Sequence, residues 1–545
     1  MSHQAPKIGQ TAPAERSGLA RALYAPVLSN WLAWLYAPIQ PQLNNLLKIE
    51  RKGPRRFNPD DILLPEGYRI ELVASGFNAP VHCTFDDQGY CYVVESGHKI
   101  DAVPRILRVD LASGRWEPYY TLPRERWNKT GAVTGACWHD GSLYLMNTST
   151  LLRLDEDGNV EEVVSGLRGD GDHQANYPVA GPDGKLYFGQ GSATNSGIVG
   201  ADNFAYEWLA DFPDFHDLPA QDVTLSGRNY EEPDVLNNLR GTVRTGAFVP
   251  YGVETHPGQI IEGNVKCNGA ILRCNLDGSD LEVVAWGLRN PFGIAFHPDG
   301  RLFASEHGMD QRSQRYVTSD PDDLYEIHED AWYGWPDFAA GIPLDDPYWQ
   351  AGRGREPVLA EHPDPNPPKP FLTFPVHVGA NGLDFCRDEA FGFAGDAFVA
   401  LFGDLAPFTT LHHALKAHGY KVVRVDMRNR RVVDFAVNKI EGSASWLPQE
   451  GFERPSHVQF GPDGSLYVVD YGIIRIAPEA GGIRMQQETG ALWRIRRTSG
   501  PRGEVPPKPL KLPARSQVLA LGLGAAAALI AGALWLRRKL RRPTS

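Results

Sequence analysis

The stretch FHPDGRLFASEHG, Phe296 to Gly308, decides the fold. Pro-Asp-Gly is a turn with a mechanism: proline presets φ, aspartate caps the turn, and glycine takes the positive φ that closes a hairpin. Short apolar runs flank the turn, as expected of two buried strands. The unit recurs along the chain, as FDDQGYCYVVES (Phe85 to Ser96), WHDGSLYLMNT (Trp138 to Thr148), AGPDGKLYFGQG (Ala180 to Gly191), FCRDEAFGFAGDAFVALFGD (Phe385 to Asp404) and FGPDGSLYVVDYG (Phe460 to Gly472). A further strand follows each: ILRVD from Ile106, LLRLD from Leu151, ILRCN from Ile271, LYEIH from Leu324, VVRVD from Val422 and LWRIR from Leu492. Six hairpins with six following strands predict an all-β six-bladed propeller. The longest interruption, about residues 192–264, separates the third hairpin from its third strand.

Composition agrees. The chain has 545 residues, with 56 Gly and 43 Pro, a turn-rich content that suits β structure. A 42% hydrophobic content excludes disorder, and 6 Cys are too few for a disulfide-built scaffold. A net charge of -12 argues against nucleic acid as a partner. No Cys-x-x-Cys-His motif for haem attachment occurs.

The ends read differently from the body. Val518 to Leu536 is free of charge and followed by RRKLRR. As a helix it would span roughly 28 Å, about one hydrocarbon core. The basic tail places that end in the cytoplasm and the body on the periplasmic or extracellular side. Leu19 to Ile39 is apolar but interrupted by Pro26, Asn30 and Pro38. It fits an uncleaved export signal, an interfacial helix or a helix packed on the body. The expected organisation is a partly helical N-terminal extension over 1–60, the propeller over 61–498, a Pro-rich linker over 499–515, and a single transmembrane helix with its basic tail over 516–545.

Counting from the turn glycines Gly89, Gly184, Gly300 and Gly464 exposes a register. Ten or eleven residues earlier stand Asn78, His173, Arg289, Asn290 and Arg454; six residues later stand Glu95, Gln190, Glu306 and Asp470. Residues equally far from a hairpin turn lie at the same end, so these polar sets are expected to converge at one mouth of the central channel. A histidine there suits a general base, and Asp172 stands beside His173 to orient it. Arg289 with Asn290 suits a planar anionic ligand. The glycine after His307 lets backbone carbonyls approach a hard cation such as Ca2+.

With these residues in view, WGLRNPFGIAFHPDGRLFASEHG, DDLYEI, WYGWPDF and DHQANYPVAGPDGKLYFGQGSATNSG closely resemble the glucose/sorbosone dehydrogenase family, over roughly Leu64 to Arg497. The resemblance implies a six-bladed propeller that uses pyrroloquinoline quinone (PQQ) and Ca2+. It implies that His173 is the catalytic base and Asp172 the carboxylate beside it. It implies that Arg289, Asn290, His307 and Arg454 contact the cofactor, and that Gly308 and Met309 offer carbonyls to Ca2+. His307 stands where the soluble glucose enzymes carry Gln. Ser456 replaces a second Arg, and LFGDL (Leu401 to Leu405) has no match to the family's cofactor-contacting Lys. The implied reaction is oxidation of a sugar or sugar aldehyde by hydride transfer to PQQ, with electrons passing to a membrane quinone or a separate carrier. Two other readings stand beside it. One is a Ca2+-dependent lactonase-type hydrolase using Glu95, Glu306 and Asp470 as ligands; the other is a non-catalytic binding propeller.

The insertion, with Trp208, Phe212, His216, Asp217, Arg228 and Tyr230, fits a lid or sugar pocket as well as an outer cover. Cys83 with Cys91 and Cys267 with Cys274 flank hairpins and are candidate disulfides or buried thiols.

Overall fold

The computed structural model describes residues 54–97, 102–123, 133–205, 208–405, 418–477 and 482–511. Both apolar terminal segments, Leu19 to Ile39 and Val518 to Leu536, lie outside the described residues. Among the described residues, no helix is long and apolar enough to cross a membrane.

Six antiparallel sheets carry the fold. Blade 1 is Pro80–Phe85, Cys91–Glu95, Arg105–Val109 and Trp116–Thr121; blade 2 runs from Gly135–His139 to Val160–Val164 in the same order. Blade 3 opens with Ala175–Ala180 and Leu186–Gln190 and ends with Ala270–Cys274 and Glu282–Trp286, so the insertion interrupts it where expected. Blades 4 and 5 begin with Pro291–Phe296 and Ala380–Phe385. Blade 6 takes Pro455–Phe460, Leu466–Asp470 and Gly490–Arg497 from the C-terminal side and its outermost strand, Tyr68–Phe77, from the N-terminal side. That strand pairs antiparallel from Tyr68 opposite Arg497 to Phe77 opposite Gly490, which closes the ring. Each innermost strand packs against the innermost strands of the blades on either side, around the full circle.

The turns obey their chemistry. Gly89, Gly184, Gly300 and Gly464 all have positive φ, between 71° and 94°. In blade 2 the two-residue turn Asp140-Gly141 has positive φ at both positions, the type I′ signature whose twist matches the strands. The second strand of the hairpins is the most buried: Cys91–Glu95, Leu186–Gln190, Leu302–Glu306, Ala397–Leu401 and Leu466–Asp470 are buried at every residue. A strand with a neighbouring blade on each face needs apolar residues on both, so these runs do not alternate. Each buried Val or Leu contributes about 1.5–3 kcal/mol.

One layer inside the mouth the channel is filled. His82 of blade 1, Tyr177 of blade 3 and His457 of blade 6 pile together, with ring centroids 3.8 Å apart for the two histidines, 4.3 Å for His82–Tyr177 and 5.1 Å for Tyr177–His457. Blades 3 and 6 face each other across the axis, so the last contact bridges it. Gly382 makes room: a Cβ there would lie 2.1 Å from His457 Nδ1. Ligands therefore approach from the mouth.

All six cysteines are free thiols. Burial pushes the Cys267 and Cys274 thiols up to about 12 and raises Cys91 well above the ordinary range. Of the two readings for each pair, the structure has the buried thiol.

Candidate functional site

His173 ends the loop that enters the innermost strand of blade 3, and the ring is held from behind by Ser192. Its Nδ1 lies 3.0 Å from the Ser192 carbonyl oxygen and 3.2 Å from the Ser192 hydroxyl. A carbonyl oxygen only accepts, so Nδ1 carries the proton and Nε2 keeps its lone pair. Burial, followed by the Arg289 guanidinium, holds the imidazolium form well below the usual histidine range. The ring is therefore neutral and able to accept a proton at neutral pH.

Asp172 does not do what its place in the sequence suggested. Its carboxylate pairs with Arg312 at 2.6 Å and accepts from Asn203 Nδ2 at 3.2 Å. The expected orienting contact on His173 is supplied by Ser192 instead. Both residues lie in the loop before Ala175–Ala180, and Arg312 and Asn203 hold the Asp172 carboxylate away from the ring.

Arg289, Asn290 and His307 do come together. Asn290 Nδ2 lies 3.0 Å from His307 Nδ1, and Arg289 Nη1 donates to the His307 carbonyl at 3.3 Å. His307 Nε2 lies 3.1 Å from Asn381 Oδ1, and its ring stacks on Phe292. Gly191 lets His173 approach this group: a Cβ there would lie 2.3 Å from His173 Cβ and 2.8 Å from Asn290 Oδ1. Arg289 is further held by Asn195 Oδ1 at 2.9 Å and by Asp310 at 3.2 Å. Arg454 sits on blade 6. It donates to the carbonyls of Gly403 at 2.8 Å and Asp404 at 3.2 Å, between the rings of Phe402 and Tyr420. Its contacts do not include His173, Arg289, Asn290 or His307.

Gly308 and Met309 follow directly. The Met309 carbonyl accepts from His377 Nε2 at 2.8 Å, and its amide donates to Asp320 at 2.6 Å. The Gly308 amide donates to Asp322 at 3.1 Å. Each carbonyl has two lone pairs, so both oxygens retain capacity for a cation. Among the described residues, no group of three or more His, Cys, Asp or Glu side chains converges to hold a metal ion. A cation at Gly308 and Met309 would depend on carbonyls and on the cofactor itself, which is the donor set that the resemblance implies.

The carboxylates six residues after the turns lie at the expected end but are already engaged. Glu95 accepts from the Asn78 amide at 2.7 Å, Glu306 from the amides of Arg289 and Asn290, and Asp470 from the amides of Glu453 and Arg454 at 3.0 and 2.8 Å. They cap the chain as it enters each innermost strand. Burial pushes Glu306 up to about 8. Glu95 and Asp470 have both oxygens occupied, and Glu306 keeps Oε2 without a partner; among the described residues the three do not converge as the ligand set of a metal-dependent hydrolase.

Sequence reasoning missed Ser192, Asn195, Asp310, Arg312 and His377. Arg312 is the hub. It is 4% exposed and pairs with Asp172, with Asp202 of the insertion at 2.5 Å, and with Asp310 at 3.0 Å. The insertion therefore lies against the site and is not merely an outer cover. Asp217 is buried within it, holding the Ala193 amide and the Thr194 hydroxyl at 2.6 Å each, and burial pushes it up to about 7.

Residues 255–473 match the family model described as Glucose / Sorbosone dehydrogenase. That match bears out the family resemblance. Quinoprotein glucose dehydrogenase B of Acinetobacter calcoaceticus is 27% identical over 180 residues, 33% of this chain and 29% of that protein. The chain thus matches less than a third of the length of this curated relative. Among solved structures, the holo form of the pyranose dehydrogenase PQQ domain from Coprinopsis cinerea aligns with a TM-score of 0.50 at 17% identity, covering 82% of this chain and 98% of that one. The PQQ-bound aldose sugar dehydrogenase from Streptomyces coelicolor aligns with a TM-score of 0.46 at 17% identity, covering 79% and 99%.

Proposed function

We propose that the protein is a PQQ- and Ca2+-dependent dehydrogenase that oxidises a sugar or sugar aldehyde. The observation that carries this reading is His173: a neutral imidazole with Nδ1 fixed by a backbone carbonyl and Nε2 free, beside the cluster of Arg289, Asn290 and His307. Oxidising a CH–OH group, that of a sugar or of a sugar aldehyde in its hydrated form, removes a proton from oxygen and a hydride from carbon. His173 Nε2 takes the proton. Arg289, Asn290 and His307 would hold the polar edge of the cofactor, Arg454 would add positive charge from blade 6, and the Gly308 and Met309 carbonyls would hold Ca2+. PQQ, when bound, supplies the two-electron acceptor for the hydride. The filled channel beneath limits solvent entry from the far side. Electrons then pass to a membrane quinone or a separate carrier, and the apolar segment Val518 to Leu536 anchors the propeller beside a membrane, on its periplasmic or extracellular side.

Turnover of a panel of aldoses and sugar aldehydes, with an artificial electron acceptor, tests the reading. Activity that requires both PQQ and Ca2+ is expected. Hydrolysis of lactones that needs Ca2+ but not PQQ would overturn it. The pH profile gives a second expectation. Because the folded-state pKa of His173 lies below the ordinary value of about 6.5, the base stays active as pH falls through that value, and kcat/KM declines only at lower pH. An acid limb centred at or above pH 6.5 would contradict the assignment.

A further inference from the structure

Three buried oxygens behind the site face one space and lack a partner. Asp202 Oδ1, Glu232 Oε1 and Ser313 Oγ are all buried and make no hydrogen bond. Asp202 is 5% exposed and Glu232 4%. Gly200 marks where the three oxygens meet: a Cβ built on it would lie 2.8 Å from Asp202 Oδ1 and 3.6 Å from both Glu232 Oε1 and Ser313 Oγ. The second oxygen of each carboxylate is occupied. Asp202 Oδ2 accepts from Arg312 at 2.5 Å, and Glu232 Oε2 accepts from Gln314 Nε2 at 2.6 Å.

The charge around this space does not balance. Three carboxylates, Asp172, Asp202 and Asp310, share two guanidiniums, Arg289 and Arg312, and Glu232 is held by the neutral amide of Gln314. The three aspartates and two arginines leave one negative charge over in a buried region, and Glu232 makes no ion pair among the described residues. An unpaired buried carboxylate is costly, whereas one that coordinates a metal is not. The donors are all hard oxygens, two of them anionic, with no nitrogen or sulfur among them. That set selects against Zn2+ and suits an alkaline-earth cation. The ligands come from three separate segments, a set that suits the variable oxygen coordination of Ca2+ better than the strict octahedron of Mg2+.

We propose that Asp202, Glu232 and Ser313 hold a Ca2+ ion that ties the insertion to the loop after Met309. Asp202 lies in the short helix Ala201–Ala205, Glu232 in the strand Asn229–Pro233, and Ser313 next to Arg312. The ion would brace Arg312, and through it Asp172, the neighbour of His173. This site uses side chains, needs no PQQ, and is separate from the carbonyls of Gly308 and Met309.

Ca2+ binding to the full-length protein, stripped of PQQ and metal with a chelator, tests the site by metal analysis and titration calorimetry. Wild type is expected to bind Ca2+ without PQQ and to unfold at a higher temperature when it does. Glu232→Gln and Asp202→Asn are expected to weaken that binding at least tenfold. Gly200→Ala removes no charge but fills the space, and is expected to do the same. If any of these fails to give native circular dichroism, Ser313→Ala serves in its place, with weakened binding again expected. Binding that survives all the substitutions at full affinity would belong elsewhere and would overturn the proposal. So would a folded wild type that binds no Ca2+ in the absence of PQQ.

Discussion

Replacing His173 by alanine is expected to lower turnover by about 10²–10⁴-fold, the usual contribution of a positioned general base. PQQ binding should stay within a few-fold of wild type, because the cofactor contacts assigned to Arg289, Asn290, His307 and Arg454 remain. The reason lies in the tautomer. The Ser192 carbonyl, 3.0 Å from Nδ1, fixes the ring so that Nε2 alone can take a proton. Alanine at 173 removes the acceptor, while the Ser192 carbonyl keeps the backbone amide of residue 173 as a donor at 3.2 Å. Kinetics on the PQQ-loaded variant, with cofactor affinity measured separately, distinguish loss of the base from loss of the site. Turnover that survives the substitution would show that another group takes the proton.

Arg312→Met is expected to destabilise the fold by about 3–5 kcal/mol, the range for breaking a buried ion pair from one side. The guanidinium is 4% exposed and faces Asp172, Asp202 and Asp310. Methionine keeps the volume and removes the charge. Asp310 still has Arg289 at 3.2 Å, but Asp172 and Asp202 lose their cationic partner. Adding Asp202→Asn to Arg312→Met should therefore recover part of the loss, since it removes one stranded charge. Denaturant unfolding of the four proteins gives the coupling directly. A loss below about 1 kcal/mol for Arg312→Met would mean that the network is not a clamp, since about 1 kcal/mol is the upper end for exposed pairs.

The propeller was legible in the turns because Pro-Asp-Gly couples a residue pattern to one backbone geometry, and all six following strands lie where the repeat put them. The closing strand Tyr68–Phe77 was not legible. It pairs with Gly490–Arg497, more than four hundred residues away, and no local turn marks the junction. The end of the hairpins at which His173, Arg289 and Asn290 gather followed from counting residues. What each side chain does there did not. Asp172 adjoins His173 in sequence but points to Arg312, while the group that orients His173 is a backbone carbonyl, which no residue type announces. Glu95, Glu306 and Asp470 were placed at the correct end, yet each accepts from the backbone amides that enter its innermost strand. Arg312 was missed for a related reason: its three partners lie in three segments that only the folded chain brings together.

Equilibrium binding of PQQ to the full-length protein, with and without Ca2+, tests the central claim most directly, because it needs no guess at the substrate. Tight binding that requires Ca2+ and is weakened by Arg289→Ala is the predicted result. No binding at tens of micromolar PQQ, by folded protein with Ca2+ present, would contradict the dehydrogenase reading.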